Sequence, residues 1–271
     1  MSKVKEIECF LLDMDGTIYL GQQLIKGARR FIDFLLQSDK EFVFLTNNSS
    51  KNSDNYQKKL KKLGIEVPLE RIITSGEVTA SYIKERKSNP VVYLVGTPAL
   101  KKYFQDNNIK IINEKQVKAK VEVDYLVVAF DTTLNYQKLW TAHNLLIQGI
   151  DYLATNPDKV CPLEDGATMP DCGAIMQLLK TSTGRMPLVI GKPNSLMIDY
   201  VAQKTGINKE KMALVGDRLY TDMKMAENAD IKSILVLSGE THKKDLTINS
   251  TVKPDFVFPS VLNIYQELVK K

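Results

Sequence analysis

Short apolar runs and longer segments of helical period alternate along the chain. Runs at 9–12, 42–45, 91–95, 125–129, 152–154, 188–190, 212–215, 233–237 and 256–258 hold few polar residues and predict strands buried on both faces. Apolar residues recur every three or four positions at 28–37, 53–63, 78–84, 136–148, 172–181, 195–205 and 221–228, which predicts helices. Gly64 and Gly206 stand where two of these helices should stop. Strand and helix in alternation is the pattern of an α/β fold with a doubly wound, mostly parallel, Rossmann-like core. Nine runs are too many for one small sheet, and the middle third has strands and helices of its own. The expected organisation is a discontinuous core over 1–86 and 186–271, with an inserted α/β cap domain over 87–185.

Polar residues gather just after the runs 9–12, 42–45 and 212–215 and near Gly191, the carboxyl ends of strands, where open α/β sheets bind ligands. In LLDMDGTIY, Asp13 and Asp15 close the first strand before Gly16 and Thr17. Carboxylates this close repel, so one takes up a proton or both share a cation. A turn in which one Asp caps the next segment accounts for the pair equally well in isolation. GDRLYTD puts Asp217 just after another strand and Asp222 five residues later. If these acids converge with Asp13 and Asp15 they form an oxygen-only cage suited to Mg²⁺, although Asp222 alone also reads as an acid at a helix start. In LTNNSS, Thr46 and Asn47 offer hydroxyl, amide and backbone donors ahead of a helix, a place for phosphate or for ordinary capping. Lys192, in VIGKPNS, follows a strand and a glycine, and a lone lysine is ordinarily solvated surface.

A chain of 271 residues is long enough for two domains. The net charge of +5 comes from interspersed charges of both signs, so no basic block marks a nucleic acid polymer as partner. The densest basic run, Lys58, Lys59, Lys61 and Lys62, alternates with Tyr56, Leu60 and Leu63 and reads as the solvated face of a helix. Cys9, Cys161 and Cys172 form no C-x-x-C pair, which points to reduced thiols and a cytoplasmic protein. No run reaches membrane length. His143 and His242 lack zinc-hydrolase spacing, no Walker-type phosphate loop is present, and Trp140, with Tyr136 and Leu145, reads as helix packing.

Taken in order, DMDGTIY, LTNNSS, ATNPD, GKP and VGDRLYTD resemble the haloacid dehalogenase superfamily of phosphatases, specifically its p-nitrophenyl phosphatase and NagD-type branch. The resemblance spans nearly the whole chain. It implies Mg²⁺-dependent hydrolysis of small phosphomonoesters, such as sugar phosphates or nucleoside monophosphates, through an aspartyl-phosphate. Asp13 would be the nucleophile, Asp15 the general acid and base, and Thr46, Asn47 and Lys192 the phosphate ligands. The metal would be held by the Asp13 carboxylate, the Asp15 backbone carbonyl and Asp217, with Asp222 orienting the site. Relatives often pair through their caps, so the resemblance also implies a homodimer.

These motifs grip only the phosphoryl group, so choice among substrates is expected from cap loops: Asn156, Pro157 and Asp158, and the segment 164–170 with Glu164 and Asp165. Read without the resemblance, the same loops serve equally as plain connections. Two other functions fit parts of the pattern. A phosphotransferase or mutase would pass the same aspartyl phosphate to an alcohol, and a receiver-like signalling module would hold it without turnover.

Overall fold

The computed structural model describes residues 3–163, 167–246 and 252–270. The chain divides into two compact units, one made of Met1–Thr46, Ser53–Ile73 and Lys192–Lys271 and the other of Asn47–Asn52 and Thr74–Gly191. These limits differ from the expected 86/87 and 185/186, and packing explains each difference. Ala80 and Ile83 of helix Ser75–Arg86 pack with Val92, Leu94, Leu100 and Phe104, which draws that helix into the second unit. Strand Leu188–Val189 pairs with Asp151–Ala154 and carries 186–191 with it. Segment 47–52 follows because Ser49 Oγ lies 2.8 Å from Thr155 Oγ1 and accepts from Phe130 N at 3.2 Å.

The first unit holds a six-stranded sheet in the order Phe256–Phe258, Lys232–Val236, Met212–Gly216, Cys9–Asp13, Glu41–Thr46, Ile72–Thr74. Cys9–Asp13 runs parallel to both of its neighbours. The chain fills one side of that strand and then the other, so the winding reverses between Cys9–Asp13 and Met212–Gly216. Phe10 and Leu12, on alternate positions from Cys9 and Leu11, are all fully buried, as parallel strands covered on both faces require. Helix Ala28–Gln37 lays Ala28, Phe31, Ile32 and Leu35 on the sheet, and Phe31 meets Phe10 edge to face at 5.9 Å. Register places Asp13 beside Leu45 and Leu12 beside Val215, so Asp13, Thr46 and Asp217 leave the sheet at one edge.

The second unit is built on a five-stranded parallel sheet, Leu188–Val189, Asp151–Ala154, Tyr125–Val128, Val91–Val95, Lys110–Ile112. Along Val91–Val95, Tyr93 and Val95 face helices Tyr136–Ile147 and Cys172–Thr183, while Val92 and Leu94 face Ser75–Arg86 and Pro98–Asp106. Helix Pro98–Asp106 was not expected from periodicity, although Thr97 Oγ1 caps it at Leu100 N and Pro98 opens it. Leu145 is buried as expected, but Tyr136 and Trp140 are exposed, so their role as helix packing is corrected. An antiparallel hairpin, Val160–Pro162 with Thr168–Pro170, stands apart from the main sheet. Gly64 and Gly206 end their helices with φ of 85° and 69°, the left-handed geometry that favours glycine.

Candidate active site

At the carboxyl edge of the first unit's sheet, three acids and one lysine meet. Asp13 ends strand Cys9–Asp13, Asp217 follows Met212–Gly216, and Asp222 lies in a π-helical turn, Leu219–Met223. Each offers a carboxylate oxygen, and these atoms all lie within 4.8 Å of one another. Lys192 Nζ donates to Asp13 Oδ1 at 2.5 Å and to Asp222 Oδ1 at 2.8 Å. Its segment is tied down where Asn228 Nδ2 donates to the Pro193 carbonyl at 2.7 Å. Asp222 Oδ2 accepts from Arg218 N at 3.2 Å, and Asp217 Oδ2 from Glu240 N at 2.6 Å. Asp217 Oδ1 is buried with no hydrogen-bond partner among the described residues.

Burial and mutual repulsion set the charges. Burial raises the Asp13 pKa well above the carboxylate range, against the pull of Lys192 and with added repulsion from Asp222 and Asp217. Asp217 is pushed up to about 6, first by burial and then by the charge of Asp222, against the Glu240 N–H and Arg218. Burial would lower Lys192, but Asp13 and Asp222 outweigh it and hold the ammonium charged. With all three acids ionised, one lysine leaves two negative charges uncompensated. Arg218 offsets part of this charge, although its guanidinium also pairs with Glu240 at 2.9 Å. Hard oxygen donors, an orphaned buried carboxylate oxygen and an excess of acids over nearby cations fit a small divalent cation such as Mg²⁺.

Three glycines let backbone close around these acids. A Cβ on Gly16 or Gly239 would stand 2.3 or 2.0 Å from Asp217 Oδ2, and one on Gly216 would stand 2.4 Å from Asp222 Cβ. Gly16 also turns with φ of 84°. Sequence reading missed Gly216, Gly239 and the Glu240 amide. The only local signal was a glycine directly after or near a strand end, which is common to many turns.

Asp15 does not join the carboxylate cluster. Its side chain is exposed, with Tyr19 Oη 3.3 Å from Oδ2 and Lys59 Nζ 3.8 Å from Oδ1. Lys59 thus leaves the solvated face on which its spacing placed it. Thr46 is buried at the same sheet edge as Asp13. Asn47 is counted with the second unit, where its Nδ2 donates to Asp158 Oδ2 at 3.0 Å.

Asn156 is not on an open loop. It is fully buried, and its Nδ2 donates to Asp158 Oδ2 and Asp171 Oδ1, each at 3.1 Å. Asp171 in turn caps helix Cys172–Thr183, and a Cβ on Gly173 would strike the Pro157 carbonyl at 2.2 Å. Residues 156–158 are therefore a packed knot. Pro157 and Asp158 are its partly exposed members. Glu164 and Asp165 lie outside the described residues.

Comparison with known proteins gives matches along the whole chain. The family described as haloacid dehalogenase-like hydrolase matches residues 10–110, and a second, HAD-hydrolase-like family matches 189–264. An acid sugar phosphatase of Staphylococcus epidermidis is 33% identical over 267 residues, covering 98% of this chain and 100% of that one. A 4-nitrophenylphosphatase of Thermotoga maritima superimposes with a TM-score of 0.92 at 44% identity, covering 99% of this chain and 100% of that chain. A glycerol phosphate phosphatase of Mycobacterium tuberculosis, solved in complex with magnesium, superimposes with a TM-score of 0.88 at 27% identity, over 97% of this chain and 78% of that one.

Proposed function

Since this chain belongs to the haloacid dehalogenase-like hydrolases, we propose that it is a Mg²⁺-dependent phosphatase of small phosphomonoesters working through an aspartyl-phosphate on Asp13. The observation that carries the reading is the buried set of Asp13, Asp217 and Asp222 with Lys192 between Asp13 and Asp222. Asp13 attacks phosphorus in line, the ester O–P bond breaks, and the leaving oxygen takes a proton from Asp15. Asp15 then takes a proton from water as the water oxygen attacks the same phosphorus. Phosphate leaves and the Asp13 carboxylate is restored. Lys192 and Thr46, with Asn47 next to it in the chain, bind the phosphoryl oxygens. Mg²⁺, held by Asp13, Asp217 and the Asp15 carbonyl with Asp222 beside them, would offset the repulsion between an anionic nucleophile and an anionic substrate.

The named relatives act on sugar phosphates, nitrophenyl phosphate and glycerol phosphate, and the chemistry shared by these is a phosphomonoester. We assign choice among such esters to the second unit, as its inserted cap. No disulfide joins Cys9, Cys161 or Cys172, and among the described residues no helix is long and apolar enough to cross a membrane, in keeping with a cytoplasmic enzyme. Exposed Tyr136, Trp140 and Ile147, at helical spacing on Tyr136–Ile147, support pairing of two chains through this unit.

Asp13→Asn tests the reading. Turnover of p-nitrophenyl phosphate should fall by about 10³-fold or more, and mass spectrometry should find a phosphoryl group on the wild type and none on the variant. Normal turnover by the variant would sink the covalent mechanism, and unchanged turnover in excess chelator would sink the metal.

A further inference from the structure

Asp15 is the one member of the proposed chemistry whose carboxylate is largely open to water, with a side-chain exposure of 57%. An exposed Asp ordinarily samples several rotamers. Here each of its oxygens has a separate anchor. Tyr19, whose ring is fully buried, approaches Oδ2 with its hydroxyl at 3.3 Å. Lys59 approaches Oδ1 at 3.8 Å while its ammonium sits 3.7 Å from the Tyr19 ring centroid. The Lys59 side chain is 26% exposed, against 69% for Lys61 two residues on, so it has been drawn off the solvated helix face. The helix Ser53–Lys62 that carries it is fixed in rotation by buried Tyr56 and Leu60. The backbone of Asp15 is likewise held, since Gly16 N donates to the Tyr19 carbonyl at 2.8 Å and Tyr19 N to the Met14 carbonyl at 3.1 Å.

We propose that Lys59 and Tyr19 are positioning residues that hold the Asp15 carboxylate in one orientation for both of its proton transfers. The inference rests on the phosphatase reading above and goes beyond it in assigning these two side chains. Tyr19 links the anchors, because its hydroxyl donates to one oxygen and its ring seats the cation that faces the other. A transfer of this kind needs the two heavy atoms within about 2.6–3.2 Å. A carboxylate free to rotate meets that condition for only part of the time. Neither anchor needs to touch the substrate.

The two half-reactions separate this role from a general loss of structure. An alkyl phosphomonoester needs Asp15 in both halves, whereas p-nitrophenyl phosphate needs it only for the second, because nitrophenolate leaves without a proton. Lys59→Met should lower kcat for the alkyl ester by about 10-fold, part of the roughly 10²- to 10⁴-fold that positioned proton transfer contributes. With p-nitrophenyl phosphate the same variant should release a nitrophenolate burst at the wild-type rate and then turn over slowly, with kcat/KM and Tm unchanged and KM falling along with kcat. Lys59→Arg should recover most of the loss, and Tyr19→Phe, which keeps the ring beneath the cation, should show a smaller loss of the same pattern. A Lys59→Met burst slowed as much as alkyl turnover, or a raised KM, would place Lys59 on the phosphoryl group and overturn the proposal. Turnover of both esters equal to wild type would also overturn it while leaving the phosphatase reading intact. Failure to detect any phosphoenzyme in the wild type would overturn both.

Discussion

Lys192 Nζ lies 2.8 Å from Asp222 Oδ1, and the two side chains are only 3% and 1% exposed. Burying the pair costs hydration energy, which is recovered because the same ammonium also bonds Asp13. The lysine is therefore the internal counter-ion of the acids as well as a proposed phosphate ligand.

Lys192→Met should leave buried carboxylates without their cation. A loss of about 3–5 kcal/mol in folding stability is expected at pH 7 in chelator, read by urea denaturation. Added Mg²⁺ should restore part of that stability and none of the turnover. A variant as stable as wild type in chelator would show that the acids are protonated rather than paired.

Stability should also depend on pH in a definite direction. Burial pushes Asp217 up to about 6 in the folded chain from about 3.8 for an ordinary aspartate, so between these values the folded state binds more protons. Stability in chelator should therefore fall as pH rises from about 4 to about 6, by at most about 3 kcal/mol. Asp13, raised by the same burial, acts in the same direction. Lys192 does not oppose this, because a raised lysine loses its contribution only at strongly alkaline pH. Saturating Mg²⁺ should flatten the slope, since it binds the ionised carboxylates. Thermal melts across pH 4–7 with and without Mg²⁺ check both statements.

Gly239→Ala tests how closely Asp217 is cradled. The added methyl would stand 2.0 Å from Oδ2, so either the carboxylate or the 238–240 backbone must move. Mg²⁺ affinity should weaken by about 10- to 100-fold, measured by titration calorimetry, with about 1–3 kcal/mol lost from stability.

In the second unit, Asn156→Ala should behave as a core substitution. It removes one donor from each of Asp158 and Asp171, which keep Asn47 Nδ2 and Cys172 N, at a cost of about 1–3 kcal/mol. Asp158→Ala, at a partly exposed position, should instead change the ranking of kcat/KM among phosphomonoesters while Mg²⁺ dependence stays as in wild type. An unaltered ranking would move specificity away from the 156–158 knot.

The sequence by itself determined the fold class, most elements and the residues proposed here to carry chemistry. Strand runs such as 9–12 and 212–215 are buried on both faces, and helix 28–37 repeats its apolar residues at helical spacing, so each is written in a dozen residues or fewer. Asp13, Thr46, Lys192 and Asp217 were legible because each follows such a run. Strand Lys110–Ile112 was not, since three residues opening on a lysine show neither an apolar run nor a period.

Tertiary structure alone decided what those residues meet. Lys192 bonds Asp13 across 179 positions of chain, and that distance is closed by strand register, which no local pattern encodes. It also decided which of several similar residues turns inward. Lys59 and Lys61 share one basic run, yet only Lys59 reaches Asp15, because the buried face of its helix fixes the rotation. Asn156 sits in a stretch rich in turn formers and is nonetheless fully buried, because Asp158 and Asp171 take both hydrogens of its amide. A side chain's type and spacing state what it can do. Its partners are set by burial and by chain segments brought together from far apart.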